Sequence, residues 1–308
     1  SSLFFKYKFM NFLEQLKIDA KEIKAKIIYP EVSDKRIVEA VKILASEWQM
    51  PVLCGKQAEL EASFGADLSS FEYIVCPDDE ENGAFAARML WEGKVEWFVA
   101  GAEYTTGHTI KCLFKNVGMA EWVKRMSGYF LMQTPIGLKI FADCAVQPNP
   151  TAQQLAEIAY LSIQSARIFG IKPKVAMLSF STKWSASTPE TQKVIEATEL
   201  VKARLEAEGI TDVELAWELQ LDAAIDETVA RAKVKDGSWT GGANVLIFPN
   251  LEAGNIGYKL VQYFSGSQAI GPILQWVKKP GNDLSRGCSV DDILVLHAVT
   301  LLQTKLSK

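Results

Sequence analysis

Short apolar runs, each ended by a glycine or a proline, recur through the first part of this 308-residue chain. Between them lie segments whose apolar residues repeat at helical spacing, so strands and helices are predicted to alternate. The predicted strands are Lys26–Tyr29, Pro51–Cys54, Tyr73–Cys76 and Trp97–Ala100, and the predicted helices are 11–25, Ile37–Trp48 and Ala84–Trp91. Continuous apolar strands between helices are typical of a parallel sheet covered on both faces, which predicts an α/β protein.

The second half of the chain continues the alternation and adds local capping signals. The predicted strands are Phe130–Met132, Leu138–Phe141, Val175–Ser179 and Val245–Phe248. Thr151 and Gln154 have the spacing of a capping box, which predicts a helix over 152–169. Pro189 suits the first turn of a helix over 189–207, where its missing N–H leaves no hydrogen bond unmade.

The stretch 278–303 contains turn formers followed by an apolar helix. The turn formers are Pro280, Gly281 and Asn282. They predict an ordered loop that is neither a helix nor a central strand. Ser289 and Asp292 have capping-box spacing, which predicts a helix from about Val290 to Leu302.

Three side chains near the start of that helix are candidates for chemistry: Ser285, Arg286 and Asp292. A helix N-terminus presents unpaired N–H groups and a partial positive charge, which favour phosphate or a developing oxyanion. Ser285 offers a hydroxyl group to a reacting carbonyl oxygen, Arg286 a guanidinium that can grip phosphate, and Asp292 a carboxylate that can take a proton. The spacing alone favours a structural alternative, in which Asp292 is a cap and the other two are ordinary turn residues.

Two other loops hold candidate binding residues. Thr105, Thr106 and Lys111 follow the strand that ends at Ala100, at the sheet edge where parallel sheets bind ligands. The hydroxyl-rich loop after the strand Val175–Ser179 suits an anion, because hydroxyl groups and backbone amides can surround it. The residues alone favour an ordinary loop capped by Thr106 or Thr109 at the first of these sites, and hydroxyl-rich loops such as the second are often simply solvated.

Composition limits the class of protein. With 48% hydrophobic residues, 23% charged residues and a net charge of −4, the chain suits one large domain or two moderate ones and does not suit a general nucleic-acid binder. No apolar run approaches the roughly 20 residues of a membrane span. Lys6 and Lys8 interrupt the apolar start before a signal-peptide core forms, and Met10 is a candidate initiator. The five cysteines and two histidines lack paired ligand spacing, which predicts no disulfide framework, no metal site and a reducing, cytoplasmic location.

Five segments resemble, in the same order and at similar spacing, motifs of the phosphate acetyltransferase (phosphotransacetylase) family. They are ADCAVQPNPTAQQLAEIA at 142–159, VAMLSFSTK at 175–183, LIFPNLEAGNIGYKL at 246–260, AIGPIL at 269–274 and the loop and helix at 278–303. The similarity extends from about Lys26 to the C-terminus. It implies two α/β domains with mainly parallel sheets that face each other across an active-site cleft. Residues 1–129 with 278–308 would form the first domain, and residues 130–277 the second.

The resemblance also implies a reaction, in which acetyl-CoA and phosphate are interconverted with acetyl phosphate and CoA without a metal in the chemical step. By match to the family's motif, Asp292 would take the proton of the CoA thiol, Ser285 would stabilise the oxyanion and Arg286 would hold the phosphate. The residues expected to line the substrate site are Thr105, Thr106, Lys111, Cys144, Ser179, Ser181, Thr182, Gly254, Asn255 and Cys288. CoA is expected as a substrate, with no tightly bound cofactor, and the family is commonly homodimeric.

The chain departs from the family at several positions. Lys111 and Tyr263 stand where the family has arginine, and a basic segment expected between Cys76 and Ala100 is missing. Tryptophans replace small residues at Trp184, Trp217 and Trp276. These departures leave open a preference for another short acyl group, or a catalytically weak relative that binds CoA or serves in assembly. Retention of all three candidate residues at the C-terminal helix favours an active acetyltransferase.

Overall fold

The computed structural model describes residues 12–48, 51–117, 126–275, 279 and 281–304. The chain divides into two compact units, one ending at Met126 and resuming at Ile270, the other comprising Ser127–Ala269. Each unit contains one sheet, and the strand pairs are mainly parallel. The α/β class predicted from the apolar pattern is confirmed. The unit boundaries lie a few residues before the domain boundaries expected from sequence, at 129/130 and 277/278.

The first unit is a five-stranded sheet with helices between its strands. The strands are β1 (Ile27–Tyr29), β2 (Val52–Gly55), β3 (Glu72–Val75), β4 (Trp97–Ala100) and β11 (Gly281–Asp283). The helices are α1 (Phe12–Ala20), α2 (Lys35–Glu47), α3 (Gln57–Phe64), α4 (Asn82–Trp91), α5 (Thr106–Asn116) and α11 (Val290–Gln303). The strand order is β11-β4-β1-β2-β3, and every neighbouring pair is parallel.

Burial along these strands follows their place in the sheet. Every residue of β1, β2 and β4 is buried, because helices cover both faces of the inner strands. In the edge strand β3 burial alternates, and Tyr73 and Val75 are more than 40% exposed. The runs at β1, β2 and β4 are therefore those of inner strands, whereas the equally apolar run Tyr73–Cys76 belongs to the edge of the sheet.

One turn expected from sequence is instead part of the sheet. Gly281 and Asn282 belong to β11, which pairs with Phe98 and Val99 of β4, so the prediction of a loop there was wrong. Because β11 is an edge strand, the expectation that these residues form neither a helix nor a central strand is confirmed. Asn282 is fully buried, and its amide nitrogen donates to Thr300 and Gln303 of α11 at 2.8 and 2.6 Å. Residues that usually form turns can lie in this strand because hydrogen bonds to distant residues replace those that they would make in a turn. Pro280 lies outside the described residues.

The second unit is built on a six-stranded sheet. The strands within the unit are β5 (Ser127–Thr134), β6 (Gly137–Ala142), β7 (Lys174–Leu178), β8 (Glu214–Leu219) and β9 (Val245–Ile247). The sixth strand, β10 (Gln268–Gln275), begins in this unit and continues past its boundary at Ala269. Its helices are α6 (Ala152–Ile168), α7 (Pro189–Ala207), α8 (Leu221–Ile225), α9 (Glu227–Lys233) and α10 (Leu251–Ser265). The order is β10-β5-β6-β9-β7-β8, where β5 and β6 form an antiparallel hairpin and the pairs from β6 to β8 are parallel.

Local capping signals predicted the long helices of this unit correctly. Thr151 and Gln154 form the capping box of α6, and Pro189 opens α7 as expected. The helices α3, α8 and α9 and the strand β8 were not predicted, because short elements give too few residues for a periodic pattern. Among the described residues, no helix is both long and apolar enough to cross a membrane.

Candidate functional site

A single buried carboxylate holds the loop between β4 and α5. Glu31, two residues beyond β1, is 2% exposed. Its oxygens accept four hydrogen bonds of 2.6–2.9 Å from the backbone N–H groups of Gly101, Ala102, Glu103 and Tyr104. Charge-assisted bonds of this kind are among the strongest in proteins, so the loop is held in one conformation.

One guanidinium group joins this loop to the segment before α11. Arg36 forms a two-point ion pair with Asp34, with Nε–Oδ1 and Nη2–Oδ2 distances of 3.1 and 2.7 Å. It also donates to the carbonyl oxygens of Ala102, Arg286 and Cys288, at 2.7, 2.7 and 3.0 Å. The rigid fork of arginine suits this task, because several donors leave one plane at fixed angles.

The candidate oxyanion donor lies in a turn fixed by its own backbone. The N–H of Leu284 donates to the carbonyl oxygen of Ala100 at 2.7 Å, which anchors the chain directly after β11. The Ser285 carbonyl oxygen accepts from the N–H of Cys288 at 2.8 Å, and its Oγ accepts from the N–H of Gly287 at 3.3 Å. Ser285 is half-buried and lies two residues beyond the end of β11.

The capping box predicted at the start of α11 is confirmed. The N–H and the hydroxyl group of Ser289 donate to Asp292 Oδ2 at 2.9 and 2.8 Å, and the N–H of Asp292 donates back to Ser289 Oγ at 3.2 Å. Arg286 is exposed, whereas Asp292 is half-buried. The loop and first helical turn therefore carry all three candidates, and Asp292 is a cap as well as a candidate base.

A second buried carboxylate beside this loop was not anticipated. Asp283, the last residue of β11, is fully buried, and among the described residues neither of its oxygens has a hydrogen-bond partner of normal geometry. A Cβ atom on Gly101 would lie 2.3 Å from Asp283 Oδ1, so only glycine fits there. Burial raises the pKa of Asp283 to about 7, an effect that the nearby hydroxyl groups of Thr106 and Thr109 oppose.

The candidate residues after β4 divide between a cap and a helix face. Thr105 is the N-cap of α5, and its Oγ1 accepts from the N–H of His108 at 3.2 Å. Thr106 is half-buried and opens the helix, while Lys111 is exposed within it. The sequence placed Lys111 in a loop, but the helix begins five residues earlier.

In the second unit, Cys144, Gly254 and Asn255 are brought together. Asp143 is 2% exposed and accepts hydrogen bonds from the backbone N–H groups of Ala145, Val146 and Gln147 at 2.7–3.0 Å. Burial raises the pKa of Asp143 to about 6. A Cβ atom on Gly254 would lie 2.3 Å from the Asp143 carbonyl oxygen and 3.1 Å from Cys144 Sγ. Asn255 Nδ2 donates to the Cys144 carbonyl oxygen at 3.1 Å, which fixes the loop against α10.

A cavity of about 780 Å³ opens beside these residues in the second unit. Its lining includes Asn149, Pro189, Lys193, Asn250, Asn255 and Ile256. The N-termini of α7 and α10 both contribute to it, and such termini favour anions, although Glu190 and Glu252 of their first turns also line the cavity and oppose an anion. Lys193 Nζ donates to Asn149 Oδ1 at 3.1 Å and to the Pro249 carbonyl oxygen at 2.8 Å.

The hydroxyl-rich loop after β7 uses its hydroxyl groups largely for its own structure. Ser181 is fully buried, and its Oγ lies 3.0 Å from Ser185 Oγ. Thr182 Oγ1 accepts from the N–H of Gln220 at 3.0 Å, and Ser179 Oγ accepts from the N–H of Ser181 at 3.1 Å. These contacts favour the structural alternative for this loop.

An aromatic pair lies beside that loop. Trp184 is 60% exposed and meets Trp217 edge to face, with ring centroids 5.1 Å apart. Lys183 Nζ lies 4.3 Å from the centroid of the Trp217 ring. Lys183 and Trp184 have φ angles of 47° and 69°, and buried Glu218 accepts from the N–H of Trp184 at 2.6 Å. The backbone strain is thus held by a specific carboxylate.

Sequence analysis missed three residues that organise the first unit: Glu31, Arg36 and Asp283. Each follows the carboxyl end of a strand, or begins the next helix, at the sheet edge where ligand sites lie. That position was the available signal. Their partners lie as many as 252 residues away, so local spacing could not reveal them.

The chain matches a family model described as phosphate acetyl/butaryl transferase over residues 79–301. It is 38% identical over 321 residues to the phosphate acetyltransferase of Staphylococcus epidermidis, covering 94% of this chain and 97% of that protein. It is 36% identical over 320 residues to the phosphate acetyltransferase of Bacillus subtilis, with 94% and 97% covered.

Solved structures agree with these relatives. A phosphotransacetylase from Streptococcus pyogenes is 33% identical, with a TM-score of 0.86 and coverage of 97% of this chain and 99% of that one. A phosphotransacetylase from Staphylococcus aureus is 35% identical, with a TM-score of 0.84 and coverage of 95% and 98%. With these matches over nearly its whole length, the chain belongs to the phosphate acetyl/butaryl transferase family.

Proposed function

We propose that this protein is a phosphate acetyltransferase, which reversibly transfers an acetyl group between CoA and inorganic phosphate. The observation that carries the proposal is the loop before α11. It holds Ser285, Arg286 and Asp292 on one turn and a helix start, in a family whose members are named for this reaction. Arg36 and Glu31 hold the surrounding backbone in one arrangement, which suits catalysis by positioned groups.

In the direction of acetyl-CoA formation, Asp292 takes the proton of the CoA thiol. The sulfur then attacks the carbonyl carbon of acetyl phosphate, and the bond between that carbon and the phosphate oxygen breaks as phosphate leaves. A thiol ionises near pH 8.5 and an aspartate near 4, so complete transfer is unfavourable and the base assists within the transition state. Such assistance is worth about 10² to 10⁴ in rate.

Ser285 and Arg286 handle the charge that develops. The Ser285 hydroxyl group donates to the oxyanion as sulfur adds, and the Arg286 guanidinium holds the phosphate. Two features support these roles, namely the half-buried hydroxyl group of Ser285 and the exposed side chain of Arg286 above a backbone fixed by Arg36. Burial raises the pKa of Cys288 to about 11, so this thiol stays protonated and is a poor nucleophile. That favours direct transfer of the acetyl group to CoA over transfer through a cysteine.

We further propose that the second unit contributes binding surface for CoA. Support comes from the 780 Å³ cavity, where Asn255 and Lys193 lie beside two helix N-termini. Cys144 and Gly254 shape the adjacent backbone. CoA acts as a substrate in this proposal, and no tightly bound cofactor is needed for the transfer.

A second candidate function is transfer of another short acyl group. The Trp184–Trp217 pair favours it, because two large rings, one on the loop after β7 and one on β8, stand at positions where the family has small residues. Turnover of propionyl and butyryl phosphates beside acetyl phosphate separates the candidates. A higher kcat/KM for either longer substrate would replace the acetyl assignment.

We propose a homodimer in the cytoplasm. Four apolar side chains one or two turns apart on α10 are 49–85% exposed, namely Ile256, Leu260, Tyr263 and Phe264. Such a stripe is typical of an interface. The mass in solution tests the dimer, and Phe264→Glu should shift it toward the monomer.

The five free, buried cysteines suit a reducing compartment.

The deciding experiment is CoA-dependent formation of acetyl-CoA from acetyl phosphate by the purified protein, with Asp292→Ala in parallel. We expect turnover in the natural protein and a loss of more than tenfold in the variant. The variant also loses the Ser289–Asp292 capping bonds, at a cost of about 1 kcal/mol, but should keep its fold. Binding of CoA without turnover of any of the three acyl phosphates would instead indicate a binding relative that has kept the scaffold.

A further inference from the structure

Three side chains that can bind metals converge in the first unit, apart from the loop before α11. Glu81 is the N-cap of α4, while His108 and Cys112 lie one turn apart on one face of α5. Their donor atoms all lie within 4.8 Å of one another. The side chains of Glu81 and His108 are 45% and 40% exposed, whereas Cys112 is 5% exposed. The cluster is therefore open to solvent on one side and closed on the other.

Five polar groups lie close to the Glu81 carboxylate. The backbone N–H groups of Gly83 and Ala84 donate to it at 3.0 Å each, and the Tyr104 hydroxyl group also hydrogen-bonds it. His108 Nε2 lies 3.3 Å from Oε1, and Cys112 Sγ lies 3.6 Å from Oε2. A carboxylate offers about four lone-pair sites for these five contacts.

The distances fit a tetrahedral metal ion. Zinc binds nitrogen and oxygen at about 2.0–2.2 Å and sulfur at about 2.3 Å, so neighbouring ligand atoms in a tetrahedral site lie about 3.3–3.6 Å apart. His108 Nε2 lies 3.3 Å from Glu81 Oε1 and Cys112 Sγ lies 3.6 Å from Glu81 Oε2, so each separation matches such a pair through a different carboxylate oxygen. A small rotation of the carboxylate would bring one oxygen toward both groups, and all the donor atoms already lie within 4.8 Å of one another. Gly83 leaves the space that the cluster needs, because a Cβ atom there would lie 3.0 Å from Glu81 Oε1 and 3.2 Å from Cys112 Sγ.

We propose that Glu81, His108 and Cys112 form a binding site for a zinc-like divalent cation. The metal forms one bond to the Cys112 sulfur, whose proton leaves to solvent, one to the lone pair of neutral His108 Nε2, and one to a Glu81 oxygen. Water takes the fourth position. The backbone amides of Gly83 and Ala84 then orient the carboxylate, as partners of metal ligands commonly do.

The site is structural and separate from acyl transfer. It would join the start of α4 to α5, whose N-terminus carries Thr105 and Thr106. It revises the sequence expectation of no metal site. That expectation arose because Glu81 is distant in sequence from the single His-Cys pair on α5.

The test uses the full chain, stripped with a chelator and dialysed against micromolar Zn²⁺, with bound metal measured by atomic emission. The variants are His108→Gln and Cys112→Ser. Cys76→Ser is the matched control, because Cys76 is an equally buried thiol whose Sγ lies 3.8 Å from the Lys56 ammonium, a cation that opposes metal binding. Co²⁺ serves as a second probe, since a cobalt–thiolate bond gives a charge-transfer band in the near ultraviolet.

We expect one Zn²⁺ per chain in the natural protein and in Cys76→Ser. In Cys112→Ser the affinity for Zn²⁺ should fall by more than about 100-fold, because loss of even an outer-sphere partner typically lowers metal affinity by 10- to 100-fold. The cobalt–thiolate band should be present in the natural protein and absent in Cys112→Ser. If Cys112→Ser fails to fold, the half-exposed His108→Gln variant decides by its loss of Zn²⁺. Substoichiometric Zn²⁺ in the natural protein, or equal binding in all variants, would overturn the proposal.

Discussion

Arg36 donates a 2.7 Å hydrogen bond from its guanidinium Nη1 to the main-chain carbonyl oxygen of Arg286. The two residues are 250 positions apart in the chain, yet this contact sets the course of the loop that carries the candidate phosphate clamp. The same nitrogen lies 3.0 Å from the Cys288 carbonyl oxygen, so two points of the loop are held from one atom. The orientation of the loop therefore depends on the first turn of α2.

Replacing this guanidinium should impair turnover without unfolding the protein. Arg36→Lys keeps the charge but loses the planar fork that reaches three carbonyl oxygens at once. We expect kcat to fall by about 10- to 100-fold, because moving a catalytic group by about 1 Å can reduce the rate by about that factor. Lys35→Gln, an exposed neighbour, is the control and should stay within about twofold. Equal rates for both variants would show that the loop needs no such tie.

Two adjacent aspartates on α11 offer a matched test of the proposed base. Asp291 is exposed and pairs with Lys17, whereas Asp292 is the capping partner of Ser289. Asn at position 292 can still accept a hydrogen bond from Ser289, so the helix start is kept. We expect Asp292→Asn to lower kcat by about 10² to 10⁴ and Asp291→Asn to leave it within about twofold. Similar losses in the two variants, followed in steady-state assays, would remove the base role.

The buried carboxylate of Asp283 makes stability depend on pH. Its folded pKa of about 7 exceeds the ordinary value of 3.8, so between these values the folded state binds more protons than the unfolded state. The free energy of unfolding should therefore fall as pH rises from about 4 to 7. Asp283→Asn removes this dependence and should gain stability relative to the natural protein over that range, by up to about 4 kcal/mol.

Denaturant unfolding at pH 4.5 and pH 8 measures this difference, with Glu39→Gln as an exposed control in the same unit. A stability difference between Asp283→Asn and the natural protein that is the same at both pH values would contradict the assignment.

Close packing at Gly254 gives a test in the second unit. A Cβ atom there meets the Asp143 carbonyl oxygen at 2.3 Å, while one on Gly257 meets only the Phe248 ring, at 3.1 Å. In a helix the change to alanine alone would stabilise by about 1 kcal/mol. We expect Gly254→Ala to destabilise the protein by about 1–3 kcal/mol, as overpacking does, and Gly257→Ala to cost less. Thermal unfolding of both variants measures the difference. A higher melting temperature for Gly254→Ala than for Gly257→Ala would contradict the prediction.

The sequence alone determined the α/β class, the long helices and the family. Capping boxes at Thr151 and Ser289 and the proline at 189 are local signals, since their hydrogen bonds close within four residues. The inner strands were equally readable, because burial on both faces requires uninterrupted apolar runs. Ser285, Arg286 and Asp292 could be chosen for the same reason, as neighbours at one helix start.

Only the tertiary structure decided what surrounds them. Asn282 lies in a strand because the hydrogen bonds from its side-chain amide to Thr300 and Gln303 replace those that it would make in a turn. Glu31 and Arg36 reach partners 66 to 252 residues away, and no local spacing encodes such distances. Long-range hydrogen bonds depend on which strands lie side by side, and that order is set by packing of the whole sheet rather than by any single segment.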